Sequence, residues 1–144
     1  MQVIHVDLGA HAYDIEIEAG LLPQIGAKVA KLLPKAKKAA IISDTNVAPL
    51  YAAKLEASLA AAGLGVVKVI IEAGEQSKNM TVLSSVLEQL AQGGLTRSDV
   101  VLTLGGGVVG DLGGFAAASY MRGVALCRCP LPFWRKSIAA SAAR

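Results

Sequence analysis

The segment from Gly105 to Asp111 has the residue types and spacing that best suit binding of a phosphate. It follows an apolar run at 100–104 that predicts a buried strand, and it precedes a small-residue run at 112–121 that predicts a helix. A glycine turn between a strand and a helix presents free backbone N–H groups to a phosphate. We therefore expect a site for a nucleotide or another phosphorylated ligand. Its residues are Gly105, Gly106, Gly107, Val108, Val109, Gly110 and Asp111.

The glycine spacing alone leaves two interpretations open. Gly105, Gly107 and Gly110 satisfy the pattern G-x-G-x-x-G. In the usual dinucleotide-binding turn that pattern follows the first strand, and an acid follows about 20 residues later. Here several predicted strands come first, and no acid follows Asp111. The segment is either a phosphate turn of a different nucleotide fold or a place where a helix packs closely on a strand.

The elements around this segment predict an α/β fold. Apolar runs predict a β-hairpin at 3–8 and 13–17 and further strands at 39–43, 65–71 and 99–104. Helical spacing predicts helices at 21–33, 47–62, 79–92 and 112–121. Alternating strands and helices are typical of a Rossmann-like, mainly parallel sheet with flanking helices. The N-terminal β-hairpin is an addition to that pattern.

Three polar or glycine-rich loops follow strands in this arrangement, at 44–46, 72–78 and 105–111. The carboxyl ends of parallel strands form one edge, where ligands of α/β proteins bind, so we expect these loops to converge. Asp44 and Asn46 suit hydrogen bonds to ribose or adenine, although their types equally suit a cap for the next helix.

Two further loop candidates carry charge. Glu75 and Lys78 suit ribose hydroxyls and phosphate, or form a solvated ion pair of little energetic weight. Arg122 ends a helix of small residues. Its guanidinium suits an anion clamp, or a favourable interaction with the C-terminus of that helix.

Composition excludes several classes of function. The 144 residues suit one domain, and no apolar run reaches membrane-spanning length. The N-terminus lacks the features of a secretory signal, so we expect a cytoplasmic protein with no membrane partner. The net charge is +3, but residues 127–144 hold four basic residues and no acid, so the remainder carries −1 and predicts no nucleic-acid partner.

Few side chains suggest a metal site. Cys127 and Cys129 form a C-x-C pair without a second pair of ligands, and we expect no metal there. His5 and His11 lie in the predicted hairpin, remote from the loops, and are interpreted as structural.

Three blocks together resemble 3-dehydroquinate synthase. They are Gly-Glu-Gln-Ser-Lys at 74–78, the glycine segment at 105–111, and Gly-Phe-Ala-Ala-Ala-Ser-Tyr-Met-Arg-Gly at 114–123. The resemblance covers residues 1–126. It implies an N-terminal NAD-binding domain, a second, helical domain with a divalent metal (zinc or cobalt) and most catalytic groups, and a homodimer. The implied reaction converts a phosphorylated keto-sugar acid, DAHP, into 3-dehydroquinate in the shikimate pathway of aromatic amino-acid biosynthesis.

The resemblance also assigns roles to matching residues. Asp44 and Asn46 would contact the adenosine half of NAD, and Glu75 and Lys78 would hold ribose and phosphate. The backbone of 105–110 would receive the pyrophosphate, with Asp111 near the nicotinamide. Arg122 would bind the substrate phosphate, either within its own subunit or across a dimer interface. NAD would oxidise a carbinol transiently, and phosphate would then be eliminated.

The resemblance stops after Leu126. The family continues approximately V-Q-V-P-T-T-L-L-A-Q-V-D-S-S-V-G-G-K, whereas residues 127–144 read C-R-C-P-L-P-F-W-R-K-S-I-A-A-S-A-A-R. Codons for the family residues, read one base later, encode residues 127–144. GTG CAG GTG, for example, becomes TGC AGG TGC. Our hypothesis is that residues 127–144 are translated out of frame, with Ile138 and Arg144 where the family has its acid and lysine.

This hypothesis divides the chain into an NAD-binding α/β domain at 1–126 and an out-of-frame tail at 127–144. We expect residues 124–127 to complete a strand and the rest of the tail to be unstructured. With the helical domain absent and no complete catalytic set, we expect an inactive enzyme with weak or absent NAD binding. The alternatives are another sugar-phosphate cyclase, an NAD-dependent polyol or glycerol-phosphate dehydrogenase, and a residual NAD-binding module.

Overall fold

The computed structural model describes the backbone of residues 2–7, 12–17 and 25–129, and the side chains of residues 25–129. The predicted hairpin turn, the start of the first predicted helix and residues 130–144 lie outside the described residues. The side chains of His5 and His11 do so as well.

Six strands form one sheet in the order β2-β1-β6-β5-β3-β4. The strands are β1 (Gln2–Asp7), β2 (Ala12–Ile17), β3 (Lys38–Asp44), β4 (Gly65–Ile71), β5 (Val100–Leu104) and β6 (Ala125–Cys129). β4, β3, β5 and β6 are parallel, whereas β1 is antiparallel to both β2 and β6. The predicted α/β class and the N-terminal hairpin are therefore confirmed.

Helices cover both faces of the parallel strands. They are α1 (Ile25–Leu32), α2 (Ala48–Ala61), α3 (Met80–Gln92) and α4 (Gly107–Ser119). Alternate strand residues point to opposite faces. Ile41, Leu102 and Cys127 therefore pack with α1 and α2, while Ile42, Val101 and Leu126 pack with α3 and α4. The apolar runs of the strands reflect this double burial.

The chain reverses its direction across the sheet at β3. After β3 it adds β4 on one side, and after β4 and α3 it returns to pair β5 with the other side of β3. Open α/β sheets bind ligands in the crevice outside the carboxyl ends of two such strands. Here that crevice lies beyond Asp44 and Leu104, and the Ser43 hydroxyl donates to the Leu104 carbonyl at 2.7 Å. The fold thus places a candidate site between the loops after β3 and β5.

The start of α4 and the end of β6 differ most clearly from the sequence prediction. α4 begins at Gly107 and not at Leu112, so Gly107 and Gly110 lie in a helix and not in a loop. Glycine has a low helix propensity, but burial of Val109 and Leu112 against the sheet overrides it. β6 extends two residues past the predicted end at Cys127, because Cys127 and Cys129 both point into the core.

The opposite, amino edge of the sheet is fastened by Asp99, which is 2% exposed. Its carboxylate accepts hydrogen bonds from the backbone N–H groups of Lys37 and Lys38, both at 2.9 Å. It also accepts from the backbone N–H of Thr96 at 2.7 Å and the Thr96 hydroxyl at 3.1 Å. Asp99 therefore joins the start of β3 to the turn before β5.

Candidate functional site

The three loops expected at the carboxyl edge contact one another. The Thr45 backbone N–H donates to the Ile71 carbonyl at 3.0 Å, and the Thr45 hydroxyl accepts from the Ala73 N–H at 3.1 Å. The Lys78 ammonium lies 2.9 Å from the Asp111 carboxylate. The two Thr45 hydrogen bonds join the loop after β3 to the end of β4 and the loop that follows it. The Lys78–Asp111 contact joins that second loop to α4. The predicted convergence is confirmed.

The first turn of α4 presents backbone donors at this edge. Its N-cap is Gly106, so no N-cap side chain occupies the first N–H groups of the helix. The first backbone N–H groups of a helix have no partner within it, so those of Gly107, Val108 and Val109 are available as donors. The first N–H of α4 that bonds within the helix is that of Gly110, to the Gly106 carbonyl at 3.0 Å. This turn is thus suited to receive an anion.

Among the glycines between 105 and 113, some are required by close packing and others leave room for a ligand. Gly105 has a φ of +153°, a conformation that favours glycine, and a Cβ there would lie 3.2 Å from Val109. A Cβ at Gly113 would overlap with the Thr103 methyl group. Gly105 and Gly113 therefore serve the turn and the close packing of α4 on β5. A Cβ at Gly107 or Gly110 meets nothing within 4 Å, so packing does not require those two glycines. Their open surface suits a ligand that approaches the backbone.

Asp44 caps the turn after β3 and not the next helix, because the N-cap of α2 is Val47 and no side chain caps that helix. Its Oδ1 accepts from the backbone N–H groups of Asn46 at 2.9 Å and Val47 at 2.8 Å. Asn46 is exposed in the loop after β3, which borders the crevice. Asp44 thereby fixes the backbone that presents Asn46.

Internal hydrogen bonds hold the loop after β4 in shape. Gly74, with a φ of +114°, precedes a 3₁₀ turn at Glu75–Ser77. The buried Ser77 hydroxyl donates to the Glu72 carbonyl at 2.6 Å, and the Gln76 amide donates to the Ala73 carbonyl at 2.7 Å. The loop therefore presents its charged residues from a defined backbone.

The charged side chains of this loop face outward. The Glu75 side chain is 77% exposed, and its carboxylate lies 3.6 Å from the Lys78 ammonium. The hydrogen bond and charge of Asp111, followed by the charge of Glu75, raise the pKa of Lys78. Lys78 is thus a cation that stays charged at neutral pH.

Sequence reasoning missed two residues that shape the site, Thr45 and Ser77. Their hydroxyls bond to backbone groups of the loop after β4. The available signal was the position of each hydroxyl residue in a tight polar loop, where such side chains often bond to nearby backbone.

Arg122 does not join the other candidates. It lies in a 3₁₀ turn at Tyr120–Arg122, after the C-terminal end of α4. Thirteen residues of helix, at about 1.5 Å each, separate the two ends by about 20 Å. Arg122 lines a cavity of about 680 Å³ near the amino ends of β5 and β6, together with Lys35 and Arg97. Met121 and Arg122 both have positive φ, +47° and +66°.

The described side chains were compared with the ligand groups that a metal ion needs. Among residues 25–129, no group of three or more His, Cys, Asp or Glu side chains could hold a metal ion. Cys127 and Cys129 are buried and free, and a hydrogen bond with Cys129 together with burial raises the pKa of the Cys127 thiol. Within the described residues, no helix is long and apolar enough to cross a membrane.

The fold and this edge define a Rossmann-like α/β domain of the type found in sugar-phosphate cyclases. A 2-epi-5-epi-valiolone synthase from Streptomyces hygroscopicus subsp. jinggangensis, solved with NAD⁺ and Zn²⁺ bound, is similar at a TM-score of 0.64 and 32% identity. The match covers 82% of this chain and 32% of that one. A 2-deoxy-scyllo-inosose synthase complexed with carbaglucose-6-phosphate, NAD⁺ and Co²⁺ has the same fold, at a TM-score of 0.74 and 18% identity, over 86% and 34% of the two chains.

Sequence comparison narrows this class. The family model described as 3-dehydroquinate synthase N-terminal matches residues 68–137, a range that extends past residue 126. The 3-dehydroquinate synthase of Clostridium acetobutylicum is 44% identical over 90% of this chain and 36% of its own length. The chain belongs to the 3-dehydroquinate synthase family, and the resemblance seen in its motifs is confirmed. It spans about a third of the length of the curated relatives that it matches.

Proposed function

We propose that this chain forms the NAD-binding part of a 3-dehydroquinate synthase. The observation that carries the proposal is the first turn of α4, where glycine backbone that packing does not require faces open space beside Lys78. Backbone N–H groups and a fixed cation are the groups that a pyrophosphate needs. The reported NAD⁺ in two structural neighbours supports the assignment.

The residues would divide the work along the crevice. The N–H groups of Gly107, Val108 and Val109 would receive the pyrophosphate, and Lys78 would neutralise part of its charge. Asn46, held by the Asp44 turn, would meet the adenosine half, and Glu75 would meet ribose. When bound, NAD supplies transient oxidation of a substrate carbinol. The protein contributes a rigid position for NAD, since the three loops are hydrogen-bonded to one another.

Arg122 is proposed to bind the phosphate of a substrate that is held in the crevice of a second subunit. It lies at the other end of α4 from the proposed NAD site, so within one chain the two cannot meet the same small ligand. A homodimer that brings Arg122 to a neighbouring crevice would remove this obstacle. Sedimentation equilibrium tests the dimer, and a monomer at all concentrations would oppose it.

The out-of-frame hypothesis concerns what the chain can catalyse. Ile138 and Arg144 stand where the resemblance puts an acid and a lysine. Among the described side chains, no group of three or more His, Cys, Asp or Glu could hold a metal ion. We expect no turnover of DAHP by the 144 residues alone. A coupled assay for phosphate release tests this, and steady turnover would refute it. The nucleotide sequence after codon 126 tests the frame directly.

Calorimetric titration with NAD tests the binding proposal. We expect weak, saturable binding with a dissociation constant of about 1 mM, or about −4 kcal/mol. Lys78→Met should weaken it further, while Glu56→Gln, at a partly exposed acid paired with Lys68, should not. Absence of heat and of competition by ADP-ribose would refute NAD binding. A cytoplasmic location remains a prediction.

A second candidate is another sugar-phosphate cyclase. The 32% identity with 2-epi-5-epi-valiolone synthase favours it over the dehydrogenase alternative, although that identity is lower than the 44% found with 3-dehydroquinate synthase. Both candidates use the same NAD site. Because the resemblance puts most catalytic groups in the second domain, the family residues encoded after codon 126 in the original frame would separate them.

A further inference from the structure

A cavity of about 680 Å³ lies at the amino edge of the sheet, at the opposite end of α4 from the proposed NAD site. Four parts of the chain border this amino-edge cavity: the end of α1 with the turn after it, the turn before β5, the C-terminal half of α4, and the segment from the 3₁₀ turn into β6. Its volume is within the range of about 300–1,000 Å³ that is typical of sites for small molecules. The cavity is therefore large enough for a ligand.

Three cations line the cavity, each on a different bordering segment. They are Lys35, Arg97 and Arg122. Among the described residues, none of these three side chains forms an ion pair or a side-chain hydrogen bond. The lining includes one acid, Asp99, whose carboxylate already accepts four hydrogen bonds. Like charges repel one another, and an anion between the cations would relieve that repulsion.

The types of these cations indicate which anion suits them. A guanidinium presents a planar fork of donors that matches phosphate, and an ammonium adds a point charge. Two arginines and one lysine therefore suit a phosphate with two negative charges, such as a phosphomonoester above its second pKa of about 6. The pyrophosphate bridge of NAD carries a single charge on each phosphate and suits this set less well.

The remaining walls of the cavity are mainly apolar. Leu33 and Pro34 line the α1 side, and Ala118 and Val124 line the α4 side. Apolar walls gain free energy by covering an apolar part of a ligand, and they weaken the screening of nearby charges by water. An organic phosphate therefore suits the cavity better than inorganic phosphate does.

Hydrogen bonds hold the backbone beside each cation. Asp99 accepts from the Lys37 N–H at 2.9 Å and from the Thr96 N–H at 2.7 Å, and these residues are close in sequence to Lys35 and Arg97. Backbone hydrogen bonds of 2.8 and 2.9 Å close the turn that carries the third cation. A fixed backbone lowers the entropy cost of binding.

We propose that the amino-edge cavity binds a small phosphomonoester with an apolar body, and that Lys35, Arg97 and Arg122 contact its phosphate. This site goes beyond the proposed function, because it requires neither NAD nor a second subunit. Lys35 and Arg97 have no role in that function, and Arg122 acts here within its own chain.

Amide chemical-shift mapping of the full chain with phenyl phosphate, at about pH 8, tests the location. Saturable shifts should centre on Arg97, Arg122 and Val124, and added NAD should not displace the ligand. Shifts centred on Gly107 and Val108, displacement by NAD, or no saturable shifts at all would overturn the proposal.

Two smaller probes test the chemistry of the ligand. Inorganic phosphate lacks the apolar body and benzyl alcohol lacks the charge, so each should bind at least about tenfold more weakly than phenyl phosphate. Equal affinity for inorganic phosphate would overturn the role of the apolar walls. Equal affinity for benzyl alcohol would overturn the role of the cations.

Calorimetric titration with phenyl phosphate tests the cations one by one. Arg97→Gln should raise the dissociation constant about tenfold, and Arg97→Lys, which keeps the charge but loses the fork, should raise it less. Lys35→Gln should raise it about threefold, since it removes one flexible charge. Lys54→Gln is the matched control, because Lys54 is exposed on α2 outside the cavity, and it should change nothing. Equal losses in Arg97→Gln and Lys54→Gln would overturn the proposal.

Ala118→Phe tests the cavity while all three cations stay in place. Ala118 is exposed on α4, so the larger side chain should leave the fold intact, which thermal unfolding checks. The variant should lose at least about tenfold in affinity for phenyl phosphate, because the ring fills the cavity. Its affinity for NAD should not change, and unchanged affinity for phenyl phosphate would overturn the proposal.

Failure of this inference and failure of the proposed function give different results. If the chain binds phenyl phosphate at the amino edge but does not bind NAD, the proposed function fails and the inference stands. If NAD binds at the other end of α4 and phenyl phosphate does not bind at the amino edge, only the inference is overturned.

Discussion

The two ends of α4 differ in what surrounds them. At the N-terminal end, hydrogen-bonded loops and Lys78 surround a turn of open glycine backbone. At the C-terminal end, Arg122 lies beside a cavity near the amino edge of the sheet. Both cations suit phosphate by type. The topology shows that they cannot serve one ligand in one chain, so residue type alone does not assign a residue to a site.

The amino edge should depend on Asp99 for its stability. Asp99→Asn replaces an ionised acceptor with an amide that presents donors to some of the four N–H and O–H groups, and we expect a loss of about 2–3 kcal/mol in the free energy of unfolding. Urea denaturation measures it, with the exposed substitution Glu88→Gln as control. A loss below about 0.5 kcal/mol would contradict the role of Asp99 as the fastener of this edge.

The same residue predicts a pH dependence. Burial raises the pKa of Asp99, but hydrogen bonds from Thr96, Lys37 and Lys38 lower it and outweigh burial, so its pKa lies below the ordinary value of 3.8. Because the folded-state pKa is the lower one, ionised Asp99 stabilises the fold fully above the unfolded-state pKa. This contribution is lost as pH falls through the folded-state pKa. Denaturation between pH 6 and pH 2 should show a smaller acid loss in Asp99→Asn than in the wild type.

Two glycines of α4 should respond oppositely to alanine. Gly113→Ala places a methyl group against the buried, β-branched Thr103, and we expect it to destabilise the fold by about 1–3 kcal/mol. Thermal and urea unfolding measure the loss. A neutral result would show that α4 can move away from β5, and the distinction between packing glycines and open glycines would be lost.

Gly110→Ala sharpens the same contrast. The added methyl group meets nothing within 4 Å, and alanine favours a helix over glycine by up to about 1 kcal/mol, so the variant should be slightly more stable than the wild type. It should nevertheless bind NAD more weakly, because the methyl group fills space that the ligand needs. Greater stability together with unchanged NAD affinity would indicate that this glycine does not contact the ligand.

Much of the fold could be predicted from the sequence because local patterns and tertiary structure agree. The apolar run at 100–104 is a buried parallel strand, and the run at 65–71 is a parallel strand at the edge of the sheet, with Val69 and Ile71 buried. The loop convergence follows from their shared direction. The start of α4 could not be predicted, since the penalty of its glycines is local whereas the burial of Val109 and Leu112 that offsets it is tertiary. The extent of β6 was missed for a similar reason. Cys127 and Cys129 stand where the resemblance puts valines, and cysteine is small and apolar enough to fill the core there.

The candidate site was predictable in part. Spacing and residue types were sufficient to select the glycine segment, Lys78 and Asp111, which the structure brings together. The hydroxyl bonds of Thr45 and Ser77 depend on which loops are neighbours, and that follows only from the strand order. The separation of Arg122 from the crevice likewise depends on the length and direction of α4.

Amide chemical-shift mapping with NAD tests the account most directly, because it reports where on α4 the ligand binds. The account predicts saturable shifts for the amides of Gly107, Val108 and Val109 and for Lys78, with little change around Arg97 and Arg122. Saturable shifts centred on Arg97 and Arg122, or no saturable shifts at all, would contradict it.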